Sequence, residues 1–142
     1  MFGRIVVGVD ESNHASRAVE TVRLLAKATG DRVIVVHVQG LGNYGRGGPM
    51  ADETVAQARS FVDELVAGLR ESGVDAEGVI ASADSDRIGR SLLGIAKDHD
   101  AGLVAIGTRG RSEATALVLG SVAHEVIHEA ELPVLVLRDL EA

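Results

Sequence analysis

The sequence predicts a single α/β domain in which helices cover both faces of a mainly parallel sheet. Three observations lead there. Short runs of β-branched residues alternate along the chain with longer segments whose apolar residues recur every three or four positions. The runs are continuously apolar rather than alternating, the pattern of strands covered on both sides. Aromatics supply 2 % of the residues against 46 % hydrophobic overall, so the core must be built from Val, Leu, Ile and Ala.

Taken in order, Ile5-Val6-Val7-Gly8-Val9 is the first strand and ends at Asp10. From His14 to Thr29 the residues Ala15, Ala18, Val19, Val22, Leu25 and Ala26 mark an amphipathic helix stopped by Gly30. Val33 to Val38 repeats the strand signal, and Gly40 to Pro49 is a glycine-rich loop. Asp52 is placed to cap a second helix with Val55, Ala58, Phe61, Val62, Leu65 and Leu69 on its apolar face, ended by Gly73. Val79-Ile80-Ala81 is a weaker third strand. Ser85 or Asp86 opens a helix that turns Ile88, Leu92, Ile95 and Ala96 inward. Leu103 to Ile106 is the fourth strand, a helix starts near Ser121, and Val134 to Leu137 follows Pro133 as the fifth strand. Right-handed crossovers then make the sheet parallel, and ligands of such sheets sit beyond the carboxyl ends of the strands where the winding reverses. The loops after Val9, Val38 and Ile106 are the ones to examine.

A length of 142 residues suits one domain spanning 1–142, with no linker or internal repeat. The net charge of −7 and the scarcity of aromatics argue against nucleic-acid binding, which needs cations along the backbone and rings for the bases. Without cysteine there is no disulfide framework, thiolate metal site or cysteine nucleophile. Met1-Phe2-Gly3-Arg4 does not open a signal peptide, and no apolar run is long enough for a bilayer. The expectation is a cytoplasmic protein with no membrane partner.

Two short motifs fail on context. Gly40-Leu41-Gly42-Asn43-Tyr44-Gly45 matches G-x-G-x-x-G, yet Arg46-Gly47-Gly48-Pro49 follows where that fingerprint needs a helix facing a pyrophosphate. His124-Glu125-Val126-Ile127-His128 matches H-E-x-x-H, yet only a short tail without histidine remains to supply a third zinc ligand. Val126 and Ile127 should lie on the buried face of that helix, with both histidines toward solvent or a subunit contact.

A third pattern sits where the fold wants a ligand. Ile106-Gly107-Thr108-Arg109-Gly110-Arg111 leaves the fourth strand, and Gly120-Ser121 begins the last helix. Gly107 and Gly110 let backbone approach a ribose or phosphate closely. A helix opened by Gly120 and Ser121 offers free N–H groups and a partial positive charge. Arg109 and Arg111 add two cations in an otherwise acidic chain. The same residues also suit a glycine turn and a serine helix cap, and spacing alone does not choose. Asp10, at the end of the first strand, reads either as a loop aspartate or as an acceptor for an adenine amino group or ribose hydroxyl.

These residues resemble those of the universal stress protein family. Gly107, Gly110, Gly120 and Ser121 fit its spaced nucleotide motif, two residues then nine between glycines and a final Ser or Thr. Val9-Asp10-Glu11-Ser12, His37-Val38 and Pro133-Val134-Leu135-Val136 fit as well, and the likeness covers nearly the whole chain, least from Gly40 to Asp52. The resemblance implies a doubly wound, Rossmann-like five-stranded sheet in the order 3-2-1-4-5 that binds ATP, with Mg²⁺ accompanying the phosphates. It implies Asp10 and the Val38 backbone near adenine and ribose, Gly107 and Gly110 along ribose and phosphates, and Ser121 and the Val122 amide at the phosphates. It also implies a homodimer through Val134–Leu137. As an apolar sheet edge that segment should in any case be paired or covered. Two positions depart from the family pattern. Glu113 replaces a frequent glycine, which makes the phosphate turn less electropositive or reshapes it. Gly102 replaces a frequent Asp before the fourth strand.

The function these features imply is an ATP-binding regulatory protein of stress or dormancy responses, acting through nucleotide-dependent shape or partner choice. The alternative is a dimeric interaction module that binds no nucleotide. No G-x-x-x-x-G-K-[ST] loop and no base beside the motif mark a phosphoryl-transfer enzyme, so any ATP turnover or self-phosphorylation would be slow. A phosphoacceptor receiver domain would need an acidic cluster and a lysine after the last strand, which Asp10 and Arg138 do not supply.

Overall fold

The computed structural model describes residues 1–10, 14–40, 52–108 and 120–138. Among these residues five strands and four helices alternate strictly: β1 (Arg4–Gly8), α1 (His14–Thr29), β2 (Arg32–Gly40), α2 (Asp52–Glu71), β3 (Ala76–Ala83), α3 (Ile88–Asp98), β4 (Leu103–Gly107), α4 (Ser121–Glu129) and β5 (Val134–Leu137). All four pairings are parallel and the order is β3-β2-β1-β4-β5, as the resemblance implies.

The continuous apolar runs find their reason in two separate cores. Ile5, Val7, Val33, Val35 and Ala105 face α1 and α2, burying Val19, Val22, Ala26, Val62 and Leu69. Their neighbours Val6, Ile34, Val36, Val104 and Ile106 face α3 and α4, burying Leu92, Ala96, Ala123 and Val126. Successive residues of one strand therefore serve opposite layers, and no position on β1 between Ile5 and Val7 is left for a polar residue. Truncating Ile34, which is fully buried, to Ala should cost roughly 2–5 kcal/mol.

Local expectations needed adjusting at four places. β3 is longer than Val79–Ala81, because it pairs with β2 from Ala76 opposite Val33 to Ala83 opposite Gly40. Gly78 hides this strand from a sequence pattern: a Cβ there would come 2.5 Å from Val62 Cγ1, so the helix packs directly on backbone. α3 starts at Ile88, since Asp84–Arg87 closes first as a turn through the Arg87 amide and the Asp84 carbonyl, 2.8 Å apart. Val55 and Ile127 are exposed rather than buried. Among the described side chains of α2 burial starts at Ala58, and α4 buries only the stripe of Ala123 and Val126, beside which Ile127 falls.

The absence of a side chain at Gly102 has a steric cause. The Gly102 amide donates to the Arg4 carbonyl at 2.9 Å, and a Cβ would run into the Phe2 carbonyl. That departure from the family pattern thus belongs to the amino edge of the sheet. At the same edge Asp31 accepts from the Met1 ammonium and the Phe2 and Gly3 amides, each at 2.9 Å. Burial alone would push its carboxyl up, but the Phe2 amide, the ammonium, Thr29 and the Gly3 amide outweigh it and hold the group well below the usual carboxylate range.

Candidate functional site

The sheet reverses its winding between β1 and β4. α1 leaves the carboxyl end of β1 toward one face and α4 follows β4 on the other, which is the topological position where open parallel sheets bind ligands in a crevice beyond the strand ends. Asp10, half-buried, stands just after β1 on one side of it, and Gly107 ends β4 on the other. Val38, on the carboxyl half of β2, adds a third position along the same edge.

Backbone hydrogen bonds tie the start of α4 to this edge. The Thr108 amide donates to the Leu137 carbonyl at 3.0 Å, and the Gly120 amide donates to the Thr108 carbonyl at 2.6 Å. Gly120 is the helix N-cap, with φ −63° and ψ 156°, and no side chain among the described residues caps the helix. Ser121 is therefore the first helical residue, exposed, rather than the cap itself. The first bond within the helix runs from the His124 amide to the Gly120 carbonyl at 2.9 Å. The amides of Ser121, Val122 and Ala123 precede it and carry the positive end of the helix dipole, which favours an anion with several oxygens.

Of the residues expected at a site, the described ones Asp10, Val38, Gly107, Gly120, Ser121 and Val122 gather on this carboxyl edge. Arg109, Gly110, Arg111 and Glu113 lie outside the described residues, as do Glu11, Ser12 and all of the Gly40–Gly45 motif except Gly40. Two residues that the sequence shows only as parts of motifs make bonds at this edge that the motifs did not foretell. Thr108 acts through its carbonyl, which leaves no trace in residue type. His37 lies buried with Nδ1 2.9 Å from the Val9 carbonyl. A polar residue inside the run Val33–Val38 was the signal that could have singled it out.

The H-E-x-x-H segment is occupied otherwise. Glu125 turns away from the histidines and accepts the Arg90 amide of α3 at 2.9 Å, while Arg90 Nε reaches Glu129 at 2.7 Å. His124 and His128 are exposed, their rings stacked 6.1 Å apart. Among the described residues no three His, Cys, Asp or Glu side chains gather as metal ligands. Among them, too, no helix is long and apolar enough to cross a membrane.

The chain is similar in sequence and in fold to known proteins. The family model described as the universal stress protein family matches residues 1–138. The universal stress protein in the QAH/OAS sulfhydrylase 3′ region of Thermus aquaticus is 31 % identical over 140 residues, covering 97 % of this chain and 100 % of that protein. The universal stress protein YxiE of Bacillus subtilis is 27 % identical over 157 residues, covering 97 % and 100 %. Among solved structures, the universal stress protein of Archaeoglobus fulgidus in complex with dAMP is 28 % identical with a TM-score of 0.75, covering 96 % of this chain and 98 % of that one.

Proposed function

The chain belongs to the universal stress protein family, and from that premise we propose that it is an adenine-nucleotide-binding regulatory protein whose ligand is ATP with Mg²⁺. The observation that carries the reading is the start of α4. Gly120 holds a backbone conformation open to any residue, caps the helix without a side chain, and is pinned to the end of β4. A glycine that the backbone does not require, beside amides that precede the helix bonding, fits a phosphate chain that must come close. The dAMP complex of the Archaeoglobus fulgidus relative supports an adenine nucleotide as the class of ligand.

In this reading the Ser121 hydroxyl and the Ser121 and Val122 amides take phosphate oxygens, and Arg109 and Arg111 neutralise their charge. Gly107 and Gly110 keep the backbone close to the ribose, and Asp10 with the Val38 backbone orients sugar and base. Bound Mg²⁺ would neutralise phosphate charge. The whole chain acts as one nucleotide-binding domain, cytoplasmic and paired as a homodimer along β5, and the bound nucleotide selects a shape or a protein partner in a stress or dormancy response. A second reading, a dimeric interaction module without nucleotide, draws on Glu113, a carboxylate in the stretch between Gly110 and Gly120.

Thermal unfolding with and without Mg-ATP, with GTP as control, separates the two. At a hundredfold excess over Kd, binding adds about 2.7 kcal/mol. Each kcal/mol moves the midpoint by roughly 2–5 °C at this chain length. An ATP-selective rise is expected. No rise at millimolar Mg-ATP, with protein verified free of nucleotide, overturns the nucleotide reading in favour of the interaction module.

A further inference from the structure

Val9 is where β1 leaves β2. Its amide still donates to the Val36 carbonyl at 2.8 Å, while strand pairing ends with Gly8 opposite Val36. Along a strand, the backbone N–H and C=O of successive residues point to opposite neighbours within the sheet. Val36 thus faces β1, His37 faces β3, and Val38 faces β1 again. One more step of the same ladder would put the Val38 amide on the Val9 carbonyl. The ladder does not take that step, and the Val9 carbonyl accepts from the His37 side chain instead, at 2.9 Å. A carbonyl only accepts, so Nδ1 carries a proton and donates in this contact. The ring is 7 % exposed and meets Phe61 of α2 edge-on, with centroids 6.1 Å apart at 80°.

We infer that His37 is a positioning residue for the nucleotide. Its imidazole takes the place of the Val38 amide at Val9, ends the β1–β2 ladder at Gly8, and leaves the N–H and C=O of Val38 turned toward the crevice. A neighbouring donor and acceptor on one strand edge complement adenine, which pairs an amino donor with a ring-nitrogen acceptor. Guanine places a carbonyl acceptor, O6, where adenine has its amino donor, and fits less well. The side chain of Val38, buried against the α3–α4 layer, keeps that edge from rotating away. The inference rests on the adenine-nucleotide reading above, and gives that reading a cause for base selectivity.

Amide hydrogen exchange of the full chain, read residue by residue by NMR, tests it without any substitution. In the nucleotide-free wild type the Val38 amide should exchange on the order of 100-fold faster than the Val36 amide, and Mg-ATP should slow it. His37→Phe keeps a ring against Phe61 but removes the donor. The Val38 amide should then become protected without nucleotide, ATP should bind roughly tenfold more weakly, and the preference over GTP should shrink. His37→Asn, whose side-chain amide donates from nearly the Nδ1 position, should restore both. A Val38 amide as protected as that of Val36 in the nucleotide-free wild type overturns the proposal, as does a folded His37→Phe chain that binds ATP like the wild type. A wild type that binds no adenine nucleotide overturns the functional reading, and this proposal with it.

Discussion

The amide of Gly120 donates to the carbonyl of Thr108 at 2.6 Å, joining the residues on either side of segment 109–119 and holding the start of α4 against the end of β4. The spaced glycine motif is thereby a property of the backbone as much as of side chains. Its last glycine anchors a helix whose first amides are the proposed phosphate site.

Gly120→Ala should separate ligand approach from folding. With φ −63° and ψ 156° the position accepts any L-residue, so stability should change by no more than about 0.5 kcal/mol. The added methyl stands where phosphate oxygens are proposed to approach, and ATP affinity should fall at least about tenfold. Ser121→Ala, which removes one hydroxyl donor, should cost about 1 kcal/mol of binding. Calorimetric titration beside a melting curve checks both, and unchanged ATP affinity in Gly120→Ala would contradict the proposed phosphate position.

Glu125 of α4 caps α3, and Gly89 makes the room. The Arg90 amide donates to Glu125 at 2.9 Å, and a Cβ on Gly89 would come 2.9 Å from the Glu125 Cβ. Glu125→Ala should cost about 1 kcal/mol as a lost cap. Gly89→Ala should cost more than its helix propensity suggests, because the carboxylate must move. In the double variant that excess disappears, giving a coupling of at least about 0.5 kcal/mol in urea unfolding. Strict additivity would mean that the two residues do not share one space.

How much of this was legible beforehand depends on the range of the interaction. Ile5–Val9 and Val33–Val38 read as buried strands because a parallel sheet covered on both faces demands unbroken β-branched runs. Gly120-Ser121 read as a helix start because glycine and serine after a strand have a local meaning. The Glu125 cap spans 35 residues, and the bond from His37 to Val9 spans 28. Both depend on strand order and register, which residue types do not carry. β3 was underestimated for the opposite reason: Ala76, Gly78 and Ser82 have little strand propensity, and pairing with β2 overrides it.

Asp31 should dominate part of the acid response. Its carboxyl is held below the ordinary value in the folded chain, so the unfolded chain takes up its proton first as pH falls. The stabilisation is complete above the unfolded value of about 3.9 and is lost as pH falls through the lower, folded value. Asp31→Asn, which sets an amide against three donors, should cost about 2 kcal/mol at pH 7. The difference from wild type should shrink progressively below about pH 4. Unfolding by urea at a series of pH values checks this, and a difference that grows on acidification would reverse the assigned sign.

β5 offers the cleanest test of the proposed homodimer. Val104 donates to the Pro133 carbonyl and Thr108 to that of Leu137, at 3.0 Å each, so the odd residues of β5 turn their backbone toward β4. By alternation, Val134 and Val136 turn theirs outward, along an edge that no strand of this chain covers among the described residues. Val136→Pro removes an outward amide without touching a β4 bond, the substitution an edge strand tolerates best. Both faces of β5 are half-buried against the two cores, so exchanging side chains there would damage the monomer as well. The expected outcome by light scattering is a wild-type dimer and a folded Val136→Pro monomer. A variant that stays dimeric would move the proposed interface off this edge, toward a surface such as exposed Ile127 on the neighbouring α4.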